Sequence, residues 1–192
     1  MTSLIAGPDD RVRCAWVGDD SEYRRYHDEE WGTPLRGDRA LFEKMALEGF
    51  QAGLSWITIL RKRPHFREVF AGFDPATVAE FDEADVERLM LDPGIIRNRA
   101  KIEATIGNAR IVRGMADGEL DTLMWSFAPD RRDRPASFAE VPAVTPESTA
   151  MSKELRRLGF RFVGPTTMYA LMQSAGMVDD HVEGCWRAAA DT

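Results

Sequence analysis

A chain of 192 residues with 44% hydrophobic and 30% charged side chains has the composition of a soluble globular protein, and its length suits a single domain spanning residues 1–192. No apolar run approaches the ~20 residues of a membrane span, and the first ten residues lack the basic and apolar segments of a secretion signal, so the expectation is a cytoplasmic protein with no membrane partner. The net charge of −7 argues mildly against nucleic acid, but phosphate binding needs only a local basic patch.

Residues 13–32 are dense in aromatics and charges. Ser21 is placed to cap a short helix in which Tyr23, Tyr26 and His27 share a face, while Trp16 and Trp31 add flat surfaces. Residues 38–47 read as a helix with Asp38 as N-cap and an apolar stripe of Leu41, Phe42, Met45 and Ala46. Glu48 falls on that same stripe. Burying a lone carboxylate costs several kcal/mol, roughly, so such a residue has a partner or a task. A tight turn follows, with Gly53 and an exposable Leu54, and Trp56 then stands in a second apolar helix over 55–60. This spacing suggests a pocket with an acidic floor and an aromatic wall. It fits equally a frayed helix end with Glu48 in water and Trp56 in the core.

Short helices are predicted over 64–71 and 75–81, each with Pro in its first turn, and over 83–91. Residues 92–96 form a turn containing Gly94, and a longer helix runs over 97–115. In this helix–turn–helix unit (about 83–115), free backbone N–H groups at the second helix's start suit a DNA phosphate, with Arg97, Arg99 and Lys101 adding charge. A plain helical hairpin is the competing reading, as a solvated face is for these basic residues and for Arg61-Lys62-Arg63. Further helices are expected over 120–127, 147–158, 165–175 and 179–186, with a Pro-rich surface loop over 128–147. With no strand of convincing length, the predicted fold class is all-α.

The two cysteines, Cys14 and Cys185, each have a histidine nearby, His27 and His181. Four such ligands suit tetrahedral zinc and would fasten the two chain ends together. Without a close CxxC pair, spacing alone favours two buried cysteines and two ordinary histidines. His65 reads as a surface residue, and Trp125 and Trp186 as packing.

Six segments in order resemble the DNA-3-methyladenine glycosylase I family of the helix–hairpin–helix glycosylase superfamily. They are Arg13-Cys14-x-Trp16, Tyr26-His27-Asp28-x-Glu30-Trp31-Gly32, Glu48-Gly49-x-Gln51-Ala52-Gly53-Leu54-Ser55-Trp56, Gly94-Ile95-Ile96-Arg97, Phe160-x-Phe162-Val163-Gly164-Pro165-Thr166 and Asp180-His181-x3-Cys185. The resemblance implies an all-helical enzyme that excises 3-methyladenine from alkylated double-stranded DNA, releasing the free base and working as a monomer. It implies one structural zinc ion on Cys14, His27, His181 and Cys185, which overrides the reading from spacing. It assigns the base pocket to Glu48, Tyr26 and Trp56, lined by Trp16, Tyr23 and Trp31. It places Gly53 and Leu54 where the family inserts residues into the duplex. Ile96 stands where the wider superfamily's hairpin carries a second Gly, and the family lacks that superfamily's catalytic Asp, so no Asp is nominated. The rival functions are a non-catalytic helical DNA-binding module, which needs the hairpin but not Glu48, Tyr26 and Trp56 together, and a zinc-clasped purine-binding protein, which needs the pocket but not Leu54.

Overall fold

The computed structural model describes residues 2–130 and 133–189. Within them the chain is mostly helical: α1 Ser21–Glu29, α2 Asp38–Gln51, α3 Trp56–Val69, α4 Pro75–Val78, α5 Glu83–Leu91, α6 Arg99–Arg113, α7 Glu119–Trp125, α8 Pro146–Arg157 and α9 Pro165–Ser174. None of these helices is long and apolar enough to cross a membrane.

The central helix is α2, which packs on α3, α6, α7 and α9. Its length from Leu41 to Phe50 is buried, Glu43 alone excepted, because neighbours cover more than its apolar stripe. Asp38 does not cap it; Gly37 does. The Asp38 carboxylate instead accepts from the backbone N–H groups of Gly118 and Asp121, capping α7, while Asp121 accepts from the N–H of Gly37. Each helix thus satisfies orphan donors at the start of the other. Similarly, α1 is capped by Asp20, which accepts from Tyr23, rather than by Ser21.

The two short helices expected over 55–60 and 64–71 are one. Pro64 lies inside α3, where a proline costs about 3 kcal/mol through its missing donor and ring clash. The stripe Trp56, Ile59, Leu60, Arg63 and Phe66 is nevertheless buried without a break across it. Continuous burial outweighs the local penalty, since each large apolar side chain contributes about 1.5–3 kcal/mol.

The all-α expectation holds apart from one short ribbon, in which β1 (Leu4–Ala6) pairs antiparallel with β2 (Val12–Cys14), with Leu4 opposite Cys14. Two further expectations are corrected. Helix α6 begins at Arg99, where Asn98 caps it by accepting from Lys101 N–H. Residues 181–185 are a turn and not a helix, followed by a 3-10 segment at Trp186–Ala189. The loop over 128–147, of which residues 131 and 132 lie outside the described part, carries a 3-10 turn at Phe138–Glu140.

Candidate active site and metal-binding cluster

A cavity of about 240 Å³ opens between α1, the C-terminal half of α2, the start of α3 and α9. That is smaller than pockets for drug-sized ligands and suits one flat heteroaromatic ring system. Aromatic rings make its wall. The ring centroids of Tyr26 and Trp56 lie 5.5 Å apart, and Trp16 packs edge-on to Tyr23 at 4.8 Å and to Trp31 at 5.1 Å. Helical spacing places Tyr23 and Tyr26 on one face of α1, and Trp56 enters because Ser55 starts α3 at the cavity edge.

Glu48 lies in this cavity and is 3% exposed. Ser174 of α9 donates to its Oε1 at 3.1 Å. Burial pushes its pKa up to about 7, against the opposing pull of the Lys44 ammonium and of Ser174. The Tyr26 hydroxyl is pushed well above its ordinary range by burial and by the Glu48 charge, so it remains protonated. The indole N–H of Trp56 is buried and has no hydrogen-bond partner. The frayed-end alternative for Glu48 is therefore excluded.

Several residues of this cavity were given no role in the sequence. Gln51 and Asp180, which stand within the quoted segments, contribute polar groups together with Gln173 and Ser174, and Phe138 and Val141 reach it from the Pro-rich loop. Asp180 is buried and accepts from Tyr169 Oη at 2.6 Å and Gln173 Nε2 at 2.8 Å. Ser174 and Gln173 carried no signal, because only the packing of α9 on α2 brings them here.

The turn between α2 and α3 stands beside the cavity. Gly53 has φ +85, a conformation that other residues adopt only with strain, and Leu54 is 42% exposed. Lys101 holds this turn from below. Its Nζ donates to Phe50 O at 2.9 Å and Ala52 O at 2.7 Å, so it is buried and satisfies carbonyls at the end of α2. That is a different task from the surface phosphate contact expected of it.

The turn between α5 and α6 is pinned by α3. Lys62 donates to Pro93 O at 2.9 Å, and His65 bridges Asp92 Oδ2 at 2.8 Å and Glu68 Oε2 at 3.1 Å. A Cβ at Gly94 would sit 2.1 Å from the His65 ring, so a larger residue here would have to displace the His65 side chain. His65 is thus no bare surface residue. Arg97 is exposed beside this turn, whereas Arg99 is ion-paired with Glu83 and Glu87. Of the packing tryptophans, Trp125 donates to Leu35 O and Trp186 to Asp28.

The second cluster joins the chain ends. One ligand atom each from Cys14, His27 and Cys185 lies within 4.8 Å of the others, and all three residues are buried. This trio can hold a metal ion. Cys14 arrives on β2, His27 on α1 and Cys185 on the turn after α9. The hydrogen bond from Cys14, and then His27, hold the Cys185 thiol well below its ordinary range despite burial. The His181 ring lies 5.0 Å from that of His27, and its Nε2 is buried with no hydrogen-bond partner. Each histidine has a carboxylate on its other nitrogen, Asp28 at 2.8 Å from His27 Nδ1 and Asp179 at 2.9 Å from His181 Nδ1. Such outer carboxylates orient metal-binding imidazoles. Trp16 and Trp31 touch both this cluster and the cavity wall.

The methyladenine glycosylase family model matches residues 16–188, which include every residue lining the cavity and, of the candidate metal-binding trio, His27 and Cys185 but not Cys14. The chain belongs to this family. Among its relatives, DNA-3-methyladenine glycosylase 1 of Escherichia coli K12 is 49% identical over 90% of this chain and 95% of its own length. The DNA-3-methyladenine glycosylase of Haemophilus influenzae is 48% identical, over 91% and 96%. A crystal structure of a 3-methyladenine DNA glycosylase I superposes with a TM-score of 0.87 at 47% identity, over 91% of this chain and 98% of that one. The Staphylococcus aureus 3-methyladenine DNA glycosylase I, solved to explain its recognition of 3-methyladenine, superposes with a TM-score of 0.85 at 34% identity, over 94% and 98%. In this methyladenine glycosylase the cavity lies where α1, α2, α3 and α9 converge, and the candidate metal-binding trio backs its aromatic wall.

Proposed function

We infer that the protein removes 3-methyladenine from alkylated double-stranded DNA, hydrolysing the N-glycosyl bond and leaving an abasic site. The observation that carries this reading is the Glu48 carboxylate, buried in an aromatic cavity sized for one base. The target nucleotide must leave the duplex, at a cost of roughly a few kcal/mol. Leu54 wedges into the vacated stack, and Gly53 lets the backbone come close. Methylation at N3 makes the base cationic and weakens its bond to the sugar. Trp56 stacks on it, with cation–π attraction of roughly 0.5–2 kcal/mol. Glu48 accepts from the polar edge of the base, and its negative charge prefers a cationic ligand over a neutral purine. Tyr26 offers a further hydrogen bond, and Trp16, Tyr23 and Trp31 complete the wall. The electron pair of the C1′–N9 bond departs with the base, which leaves neutral, and water adds to C1′ while its proton passes to the medium.

The turn between α5 and α6 serves as a helix–hairpin–helix unit, with Gly94 and Arg97 facing the phosphates. Zinc on Cys14, His27, His181 and Cys185 suits the paired thiols and the unpartnered His181 nitrogen, and four protein ligands make it structural. We read the chain as a single cytoplasmic domain acting as a monomer.

The test is base release from methylated duplex DNA, with chromatographic separation of the freed bases, for the wild type and Glu48→Ala. Selective 3-methyladenine release that falls in the variant is expected. No release from folded, zinc-replete protein would leave a non-catalytic DNA-binding module.

A further inference from the structure

Helix α3 starts in the base cavity with Trp56 and, further along, sets Lys62 and His65 against the turn between α5 and α6. At about 1.5 Å per residue, His65 stands about 14 Å along the helix from Trp56. The reaction described above gives His65 no part. Its ring lies between two carboxylates. Nε2 is 2.8 Å from Asp92 Oδ2 in the turn, and Nδ1 is 3.1 Å from Glu68 Oε2 on α3. The other oxygen of Asp92 accepts from the Gly94 N–H at 2.7 Å. The ring also fills the space beside Gly94, where a Cβ would meet it at 2.1 Å. With Lys62 Nζ donating to Pro93 O, all three turn residues are tied to α3.

A neutral imidazole has one N–H, so it donates to one of these carboxylates and sets a lone pair against the other. Donating to both requires the imidazolium. The hydrogen bond to Asp92 above all, and then that to Glu68, raises the His65 pKa above its ordinary 6.5, against desolvation. Lys62 on the same helix and Arg88 on α5 add positive charge nearby, and Arg88 also pairs with Asp85. Asp92 is held low, chiefly by His65, so it stays ionised while the ring titrates. The bridge is complete below the raised histidine value and loses one of its two hydrogen bonds as pH rises through it.

We propose that His65 is a positioning residue for DNA binding: as an imidazolium linking Glu68 to Asp92, it fixes the 92–94 turn in the form that receives a backbone phosphate, and duplex affinity falls when the ring loses its proton. This rests on the reading of that turn as the DNA-facing unit. Both ring protons are committed to carboxylates, so the ring is not itself the phosphate donor. Arg97, exposed beside the turn, keeps its charge throughout. An affinity that follows the ring therefore reports the geometry of the turn.

The experiment is fluorescence anisotropy with an undamaged duplex, across a pH series that brackets 6.5 and extends above it. It compares the wild type, His65→Gln, His65→Arg and Arg97→Ala, with thermal melts to establish folding and NMR of the wild-type Gly94 amide. Wild-type affinity should fall about tenfold as the competent form of the turn drops to about one in ten. Its midpoint should lie above 6.5 and match that of the Gly94 amide shift. His65→Gln should bind weakly without this step, and the wild type should converge on it at high pH. His65→Arg, whose fork can reach two carboxylates without titrating, should bind tightly throughout. Free 3-methyladenine should bind His65→Gln as it binds the wild type, since His65 does not line the base cavity. An equal fall with pH in wild type and His65→Gln assigns the step to another group, such as Glu48 at about 7, and overturns the proposal. A Gly94 amide that titrates while affinity stays flat also overturns it, and that comparison decides alone if His65→Gln does not fold. Undiminished affinity in Arg97→Ala would mean that DNA does not pass this turn, and both readings would fall for that separate reason.

Discussion

Ser174 and Glu48 meet across 126 residues of chain, Oγ donating to Oε1 at 3.1 Å, and this contact joins α9 to α2 at the cavity floor. One hydrogen bond does not offset the desolvation of the carboxylate, whose pKa rises from 4.5 to about 7. Between about pH 4.5 and 7 the empty folded site therefore holds a proton on Glu48 that the unfolded chain has released, and above that window the carboxylate is ionised. Stability is undiminished below the unfolded value, falls as pH rises through this window, and has lost about 3 kcal/mol once pH exceeds the folded pKa. Glu48→Gln should abolish that loss. At pH 8 it should melt at a higher temperature than the wild type, and at pH 4 at nearly the same one, while its affinity for 3-methyladenine falls at least tenfold. Melting curves at the two pH values and calorimetry check this. Equal stability at pH 8, or unchanged affinity, contradicts it.

The Cys14, His27 and Cys185 trio, which can hold a metal ion, joins the chain ends behind the aromatic wall through Trp16 and Trp31. Structural metal contributes folding free energy. Stripping it should lower Tm by about 10 °C, the equivalent of about 3–5 kcal/mol for a chain of this size. Cys14→Ser should do the same, and excision per folded molecule should survive at temperatures well below the new midpoint. A metal-free protein with an unchanged Tm would refute the clasp.

The elements most legible in the sequence were those whose own residues settle them. Helix α5 ran over the expected residues because Asp82 and Asp85 make its capping box and its apolar side chains share one face. Glu48 was legible because a carboxylate on an apolar stripe is costly anywhere. Lys44 lies on that same stripe, three residues after Leu41, and an identical argument would have singled it out. What could not be read was tertiary. Pro64 looked like a helix start until the buried face on both sides of it was seen to be continuous. Asp38 looked like the cap of its own helix, whereas it caps α7, 80 residues on. The β1–β2 pairing is too short to show a period, and its role is to deliver Cys14.

Lys101 illustrates how an apparent phosphate ligand can serve the site from inside. Lys101→Met leaves the carbonyls of Phe50 and Ala52 without their donor, at about 1–3 kcal/mol for buried acceptors. The turn carrying Gly53 and Leu54 should loosen while the cavity stays intact. Excision from duplex DNA should fall about tenfold or more, and binding of free 3-methyladenine should change less than twofold. Calorimetry with the free base beside single-turnover excision separates the two. An equal loss in both assays would mean that Lys101 supports the cavity and not the wedge.

Arg97 and Arg99 differ in what their charges already face. Arg99 is matched by Glu83 and Glu87, with Glu103 also within reach, so its charge is largely neutralised within the protein. Arg97 is exposed at the entry to α6, beside the turn pinned by Lys62 and His65. Each phosphate neutralised adds about 0.9 to the slope of log affinity against log salt concentration. Arg97→Ala should therefore reduce that slope by about 1 and weaken binding to all duplex sequences alike. Arg99→Ala should leave the slope unchanged and lower Tm by at most a few degrees, since exposed ion pairs contribute about 1 kcal/mol or less. Fluorescence anisotropy with an abasic-site duplex over a salt series distinguishes the two. A slope that moves with Arg99 and not with Arg97 would shift the DNA path from the turn to the outer face of α5.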